Sequence, residues 1–293
     1  FVRFLVVPAM IPRVIPREIV AEKPRNPFAG LVLSAKAAYV YDATTDEVIF
    51  AYNENARLPL ASLAKVMTVI TAAEVLPRDT ILKISSDAGS ELVSGDRWAL
   101  DRLADVTLVG SLNGGAMTFS EVAGARLALG TKGAGISMAS KRKLFIEAMN
   151  KKALEMGLKE TYFLNESGLD ESRETAGGYG SARDIAHLFA YGAEHHPDLF
   201  AATRYGSVTA YSLQSRKLTV FNTNEAIAAL PGALLSKTGT TLLAGGNLGV
   251  VFDVGIDHPV VAVILGDTSE GRFADMSELV RRTRVYFSTR HYE

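Results

Sequence analysis

The chain contains no cysteine. That excludes a disulfide scaffold, a thiol nucleophile and a cysteine-ligated metal site, and it suits the cytosol and an oxidising compartment equally. Histidine is sparse: His187, His195, His196, His258 and His291 are the five, and none sits in a His-Glu-x-x-His arrangement, which argues against a zinc hydrolase. His195-His196 precedes Pro197 and reads as a loop. Charge of one sign is missing too. The formal net charge of -1 offers no field that would call for nucleic acid or an anionic membrane, and the local run Lys141-Arg142-Lys143 reads as a solvated helix face. No apolar run reaches the roughly 18 residues that a membrane span needs. Internal repeats and low-complexity tracts are absent.

What remains is an ordinary globular composition. With 293 residues, 48% of them hydrophobic, the chain can bury a large core in one large domain or two lobes. It opens on Phe1 rather than Met, so the expectation is that residues upstream have been removed. An export signal or a membrane anchor outside this sequence is compatible with that start. Phe1 to Val20 is apolar but broken by Pro8, Pro12 and Pro16, and a charged stretch runs on to Pro27. Residues 1–30 therefore read as an extended arm or linker.

Beyond the arm, Ala37–Tyr41 and Val48–Tyr52 are β-prone runs around the turn cluster Ala43-Thr44-Thr45-Asp46, an antiparallel hairpin. From about Asp87 to Tyr191 the pattern is mostly helical. Arg102–Val109 and Phe119–Leu129 flank a glycine-containing break, Lys141–Met156 is stopped by Gly157, and Ser181-Ala182-Arg183-Asp184 forms a capping box. After Pro197 short β-type runs return, at Leu218–Phe221, Gly232–Thr241, Asn247–Val254 and Pro259–Leu265, before a closing helix at Val280–Phe287. Strands at both ends with a helical insert predict an α+β fold, one antiparallel sheet flanked by helices plus an all-helical lobe. The expected division is an α/β lobe from 31–86 and 197–293, and a helical lobe from 87–196.

One stretch carries chemistry. Pro59-Leu60-Ala61-Ser62-Leu63-Ala64-Lys65-Val66-Met67-Thr68 opens a segment free of Gly and Pro until Pro77, apolar nearly all round, which marks a buried central helix. Positions i and i+3 share a helix face, so Lys65 can set its amine beside the Ser62 hydroxyl. A serine is a poor nucleophile until a base takes its proton, and a lysine can be that base only where burial or nearby positive charge lowers its pKa. Ser-x-x-Lys alone is weak evidence. The chain holds a second copy, Ser140-Lys141-Arg142-Lys143, on a charged helix where the serine reads better as an N-cap.

Two further motifs stand downstream, Ser111-Leu112-Asn113 on a loop between helices and Lys237-Thr238-Gly239 on a strand, followed by Thr240-Thr241. The three in this order match the active-site set of penicillin-binding proteins and class A β-lactamases. Acyl transfer needs a nucleophile, a base, oxyanion donors and a grip on the substrate carboxylate. Ser62 and Lys65 supply the first two. Ser111 can shuttle a proton to the leaving amine, and Asn113 can hold Lys65 and the substrate amide. Lys237 adds a second cation that helps to keep one lysine neutral, and Gly239 lets substrate backbone approach the strand.

With these motifs in place, the chain resembles the D-alanyl-D-alanine carboxypeptidase family, the low-molecular-mass penicillin-binding proteins, from about Ala35 to about Tyr286. Met149-Asn150-Lys151-Lys152-Ala153, Ser167-Gly168-Leu169-Asp170, Ser181–Asp184 and Ser236–Asn247 share in the likeness. The resemblance implies a serine acyl-enzyme on Ser62 that removes the terminal D-alanine from peptidoglycan stem peptides, with β-lactam antibiotics as covalent mimics. It places the oxyanion between the backbone N–H groups of Ser62 and Thr240, and gives Arg272 a share of the substrate carboxylate with Thr238, Gly239 and Thr240. It implies no metal or organic cofactor, no nucleic acid, and an extracytoplasmic location. Glu166 stands where the family usually has Pro, Asp46 where it often has Gly, and Gly114-Gly115 could loosen the Ser111 loop. Three alternatives stay open: a serine β-lactamase with Glu166 as its acidic base, a catalytically weak wall-binding member, and endopeptidase activity on cross-linked peptides.

Overall fold

The computed structural model of the chain describes residues 26–85, 89, 91–129 and 137–290. Residues 1–25, most of the expected arm, lie outside that set. The end of the arm is no linker: Phe28 is buried and stacks on Phe50 at 5.1 Å, and Arg282 donates to the carbonyls of Pro27 and Ala29.

In chain order, β1 (Ala37–Asp42) and β2 (Glu47–Tyr52) form the expected hairpin. Asp46 turns it at φ 61°, a conformation that Asp tolerates better than most residues. Then come β3 (Leu58–Pro59), a 3-10 turn at Ala61–Leu63, and α1 (Ala64–Val75). A small hairpin of β4 (Ile81–Lys83) and β5 (Arg97–Ala99) precedes α2 (Leu100–Val109), α3 (Asn113–Ala128) and α4 (Met138–Glu155). The chain continues through β6 (Tyr162–Phe163), β7 (Gly178–Gly180), α5 (Ala182–His195) and α6 (Pro197–Phe200). It ends with a hairpin of β8 (Ser207–Tyr211) and β9 (Lys217–Phe221), then β10 (Ala233–Thr241), β11 (Gly245–Asp253), β12 (Pro259–Asp267) and α7 (Gly271–Arg290).

The main sheet is antiparallel, in the order β10-β11-β12-β1-β2, so both ends of the chain build it. Its central strands are covered on both faces, and the period of two splits their side chains between two cores. Ala37, Tyr39, Val261, Val263 and Leu265 face α5 and the helices, whereas Ala38, Val40, Val260, Ala262 and Ile264 pack against Met276, Leu279 and Val280 of α7. Two-sided burial is why β12 reads as an unbroken apolar run. The core on the helical side is continuous through α1, where every residue from Ala64 to Ala72 is buried.

Several local expectations are corrected. The segment expected to be helical from Asp87 also contains β5, β6 and β7, each of two or three residues, too short to show a period. Ser137, not Ser140, caps α4, its hydroxyl accepting the Ser140 N–H at 3.2 Å. Ser181 caps α5, its hydroxyl accepting the Asp184 N–H, but the expected reciprocal half of the capping box is replaced: the Asp184 carboxylate accepts from the Glu160 N–H and the Thr161 hydroxyl. α5 runs on to His195, and His196 is a buried helix end rather than an open loop. Gly114-Gly115 does not loosen a loop. Both residues lie in the first turn of α3, and a side chain on Gly115 would meet the Thr107 hydroxyl of α2 at 1.9 Å. The glycine allows α2 and α3 to touch. Among the described residues, no helix is long and apolar enough to cross a membrane.

Candidate active site

Ser62 is placed by what surrounds its turn. The buried Asn247 of β11 donates to the carbonyls of Pro59 and Leu60, at 2.9 and 3.0 Å, and so fixes the chain entering the turn to the main sheet. Ala61 then adopts φ 48°, a left-handed conformation that costs a non-glycine residue about 1 kcal/mol or more. Two glycines let other segments close on this turn. A side chain on Gly168 would sit 1.9 Å from the Ala61 carbonyl, and one on Gly239 would sit 2.8 Å from the Leu60 carbonyl and 3.1 Å from the Ser62 nitrogen. The space left by Gly239 is thus filled by the serine's own turn rather than held open for substrate.

Lys65, one turn further on, is completely buried, and its amine meets the Ser62 hydroxyl at 2.7 Å and the Ser167 carbonyl at 2.9 Å. Burial pushes the Lys65 amine down to about 7, while the negative charge of Glu166 works in the opposite direction. Ser111 lies between α2 and α3 at φ 58°, and accepts a hydrogen bond from Lys237 at 2.9 Å. Lys237, 2% exposed, also donates to the Thr238 carbonyl. Burial drives its amine well below the usual lysine range, and the positive charges of Lys65 and Arg272 push the same way. Two lysines therefore share a site that favours their neutral forms.

The substrate side is built on β10. Thr238 exchanges a hydroxyl–hydroxyl hydrogen bond of 2.6 Å with Thr223. Arg272, buried at the start of α7, donates to the Gly239 carbonyl at 2.9 Å and to the Thr240 hydroxyl. The Thr240 side chain faces solvent, and Asp170 ties the adjoining turn by accepting from the Thr241 hydroxyl and the Leu243 N–H. Ser62, Lys65, Ser111, Lys237, Thr238, Gly239, Thr240 and Arg272 thus join in one bonded or touching set. Asn113 stands apart. It is exposed at the start of α3, and the acceptor that holds Lys65 is the Ser167 carbonyl.

Ser167, Thr223 and Asn247 are the participants that sequence reasoning did not assign. Ser167 and Asn247 fall within Ser167–Asp170 and Ser236–Asn247, two stretches that share in the family likeness. Ser167 acts through a backbone carbonyl, which every residue type possesses, so its type gives no signal. No group of three or more His, Asp or Glu is placed to hold a metal ion among the described residues.

Comparison with known proteins decides the kinship. Residues 21–269 match the pattern of the D-alanyl-D-alanine carboxypeptidase family of peptidases. The chain belongs to that family. Relatives include D-alanyl-D-alanine carboxypeptidase DacF of Bacillus subtilis, 30% identical over 72% of this chain and 52% of its own length. D-alanyl-D-alanine carboxypeptidase DacD of Escherichia coli is 27% identical over 85% of this chain and 62% of its own. The chain thus spans about half to three-fifths of the length of these two. Among solved structures, penicillin-binding protein D2 of Listeria monocytogenes, in its ampicillin-bound form, superposes with a TM-score of 0.69 at 26% identity, covering 86% of this chain and 98% of that one.

Within the family frame, the unusual Glu166 has a clear local role. It is 3% exposed, and its carboxylate is paired with Arg142 of α4 at 2.7 Å. Its backbone carbonyl accepts the Thr68 hydroxyl at 2.6 Å. The carboxylate is committed to α4 rather than to the Ser62 hydroxyl.

Proposed function

We propose that the chain is a serine-type D-Ala-D-Ala carboxypeptidase that trims peptidoglycan stem peptides outside the cytoplasm. The observation that carries this is the 2.7 Å contact between the Ser62 hydroxyl and a lysine amine removed from water. A neutral Lys65 accepts the Ser62 proton as the oxygen bonds to the carbonyl carbon of the penultimate D-alanine. The oxyanion that forms is met by the backbone N–H groups of Ser62 and Thr240. Collapse breaks the C–N bond, and the leaving D-alanine nitrogen takes a proton through Ser111, backed by Lys237. Water then adds to the ester, Ser62 recovers its proton, and the shortened peptide departs. Thr238, Thr240 and Arg272 hold the substrate's terminal carboxylate, and Asn113 is free to meet its amide.

β-Lactams would acylate Ser62 as mimics of this substrate, in line with the ampicillin carried by the Listeria protein. The β-lactamase alternative is less favoured, because Glu166 is spent on Arg142.

The test is D-alanine release from a Lys-D-Ala-D-Ala peptide, with wild type and Ser62→Ala run side by side. Release that vanishes in the variant is the expected result. Covalent penicillin binding without release would instead mark a catalytically weak member. Neither release nor adduct would remove the catalytic proposal.

A further inference from the structure

Lys65 is held from two sides, and the two sides carry opposite charge. On the sheet side stand Lys237 of β10 and, beyond it, Arg272 of α7. On the other side is the 165–168 segment. There Asn165 accepts from the Ser167 N–H and hydroxyl and the Gly168 N–H, while α1 grips both neighbouring peptides through Thr68 to the Glu166 carbonyl and Lys65 to the Ser167 carbonyl. Glu166 is the buried carboxylate of that wall; the exposed Glu171 accepts from the Asn165 side-chain amide and lines the same cavity as Arg142 and Glu166. The first oxygen of Glu166 meets Arg142, and its second is buried with no hydrogen-bond partner among the described residues. A half-satisfied buried carboxylate is costly, and an apolar residue would avoid the cost.

Other charges on α1 and on the helices packed against it have partners or surroundings of their own. Glu74 at its far end is paired with Lys152 of α4, Asp105 of α2 with Arg102, and Asp184 of α5 accepts from the Glu160 N–H and the Thr161 hydroxyl. Glu121 of α3 lines a different pocket, with Lys83 and Lys141. Arg142 itself is partly open to water, so it balances the Glu166 charge incompletely at Lys65.

We propose that Glu166, braced by Arg142, is a positioning residue that holds the Ser167 carbonyl against Lys65 and sets the charge balance under which Lys65 serves as a base. This rests on Lys65 being the base for Ser62, and it adds a control on that base from a residue touching neither substrate nor nucleophile. The Glu166 charge favours the protonated amine, and the Arg142 charge disfavours it. Removing each must therefore move Lys65 in opposite directions.

The experiment measures the second-order rate of acylation by a fluorescent penicillin from pH 5 to 9 in wild type, Glu166→Gln and Arg142→Gln. In parallel, the 13Cε signal of Lys65 is titrated by NMR in a Ser62→Ala background. Glu166→Gln should shift the acid limb, and the NMR midpoint, to lower pH by about half a unit to one unit; Arg142→Gln should shift both to higher pH. Rates that fall in both variants while the limbs stay fixed would overturn the proposal, leaving the pair a merely structural brace. The NMR midpoint reports on Glu166 even if wild type is never acylated, so failure of the catalytic reading shows separately. If Glu166→Gln does not fold, the upward shift in Arg142→Gln decides alone, and its absence counts against the proposal.

Discussion

The chain contains Ser-x-x-Lys twice, and the two copies differ in almost every physical respect. Ser62 and Lys65 lie where a 3-10 turn enters a buried helix, with 2.7 Å between hydroxyl and amine. Ser140 and Lys143 lie on an outer face of α4, where Ser140 meets the Ser137 hydroxyl, and the Lys143 side chain, 79% exposed, reaches Glu147 only at 4.0 Å. Spacing is identical and chemistry is not. A lysine in water keeps its proton and its mobility, whereas one enclosed by protein loses the stabilisation of its charge and is aimed at one partner. Burial, not the motif, makes the base.

The comparison can be broken at several points. The largest expected effect is on the nucleophile: Ser62→Ala should abolish penicillin labelling, while Ser140→Ala leaves the labelling rate unchanged. Mass spectrometry of the adduct checks both, and an adduct surviving in Ser62→Ala would show the wrong serine had been chosen. Next, Lys65→Ala should slow acylation by about a thousandfold, within the range of a lost general base. Lys143→Ala should leave both acylation and thermal stability almost untouched.

The pH dependence sharpens the same contrast. Burial has brought the Lys65 amine to about 7, and only its neutral form can take the Ser62 proton, so acylation should rise with pH through that region and level off above it. A rate flat from pH 5 to 9 would remove Lys65 from the base role. Two smaller effects concern stability. Gly115→Ala should destabilise by about 1–3 kcal/mol through overpacking against Thr107. Ser137→Ala should cost about 1 kcal/mol as a lost helix cap, with little change for Ser140→Ala. Chemical denaturation would read both.

Much of this was legible beforehand, for identifiable reasons. The buried helix was legible because apolar side chains all round a helix admit no solvated face, though not its start: Ser62 lies in a 3-10 turn, and α1 runs from Ala64 to Val75. The sheet strands β10 to β12 announced themselves through β-branched runs between glycine and aspartate turns. Hidden features were of two kinds. Short elements such as β4 and β6 have too few residues to display a period. Contacts made by backbone, such as Ser167 to Lys65, depend on where the chain passes rather than on side-chain type. Asn113 was misplaced relative to Lys65 for a related reason: a motif gives the cast of a site but not its bonding.

The pairing of β1 with β12 has a kinetic consequence. Ala37 lies opposite Leu265, so the sheet closes only when strands from opposite ends of the chain meet. Loops of that size cost entropy before any contact repays it, and folds dominated by such pairings form slowly. Asn247, which anchors the turn of Ser62, belongs to the strand beside β12, and it is through β12 that this strand joins β1 in the sheet. During synthesis, then, the serine emerges early but acquires its surroundings last. A ribosome-bound chain lacking β12 should carry every residue of the Ser-x-x-Lys motif and still be inert toward penicillin.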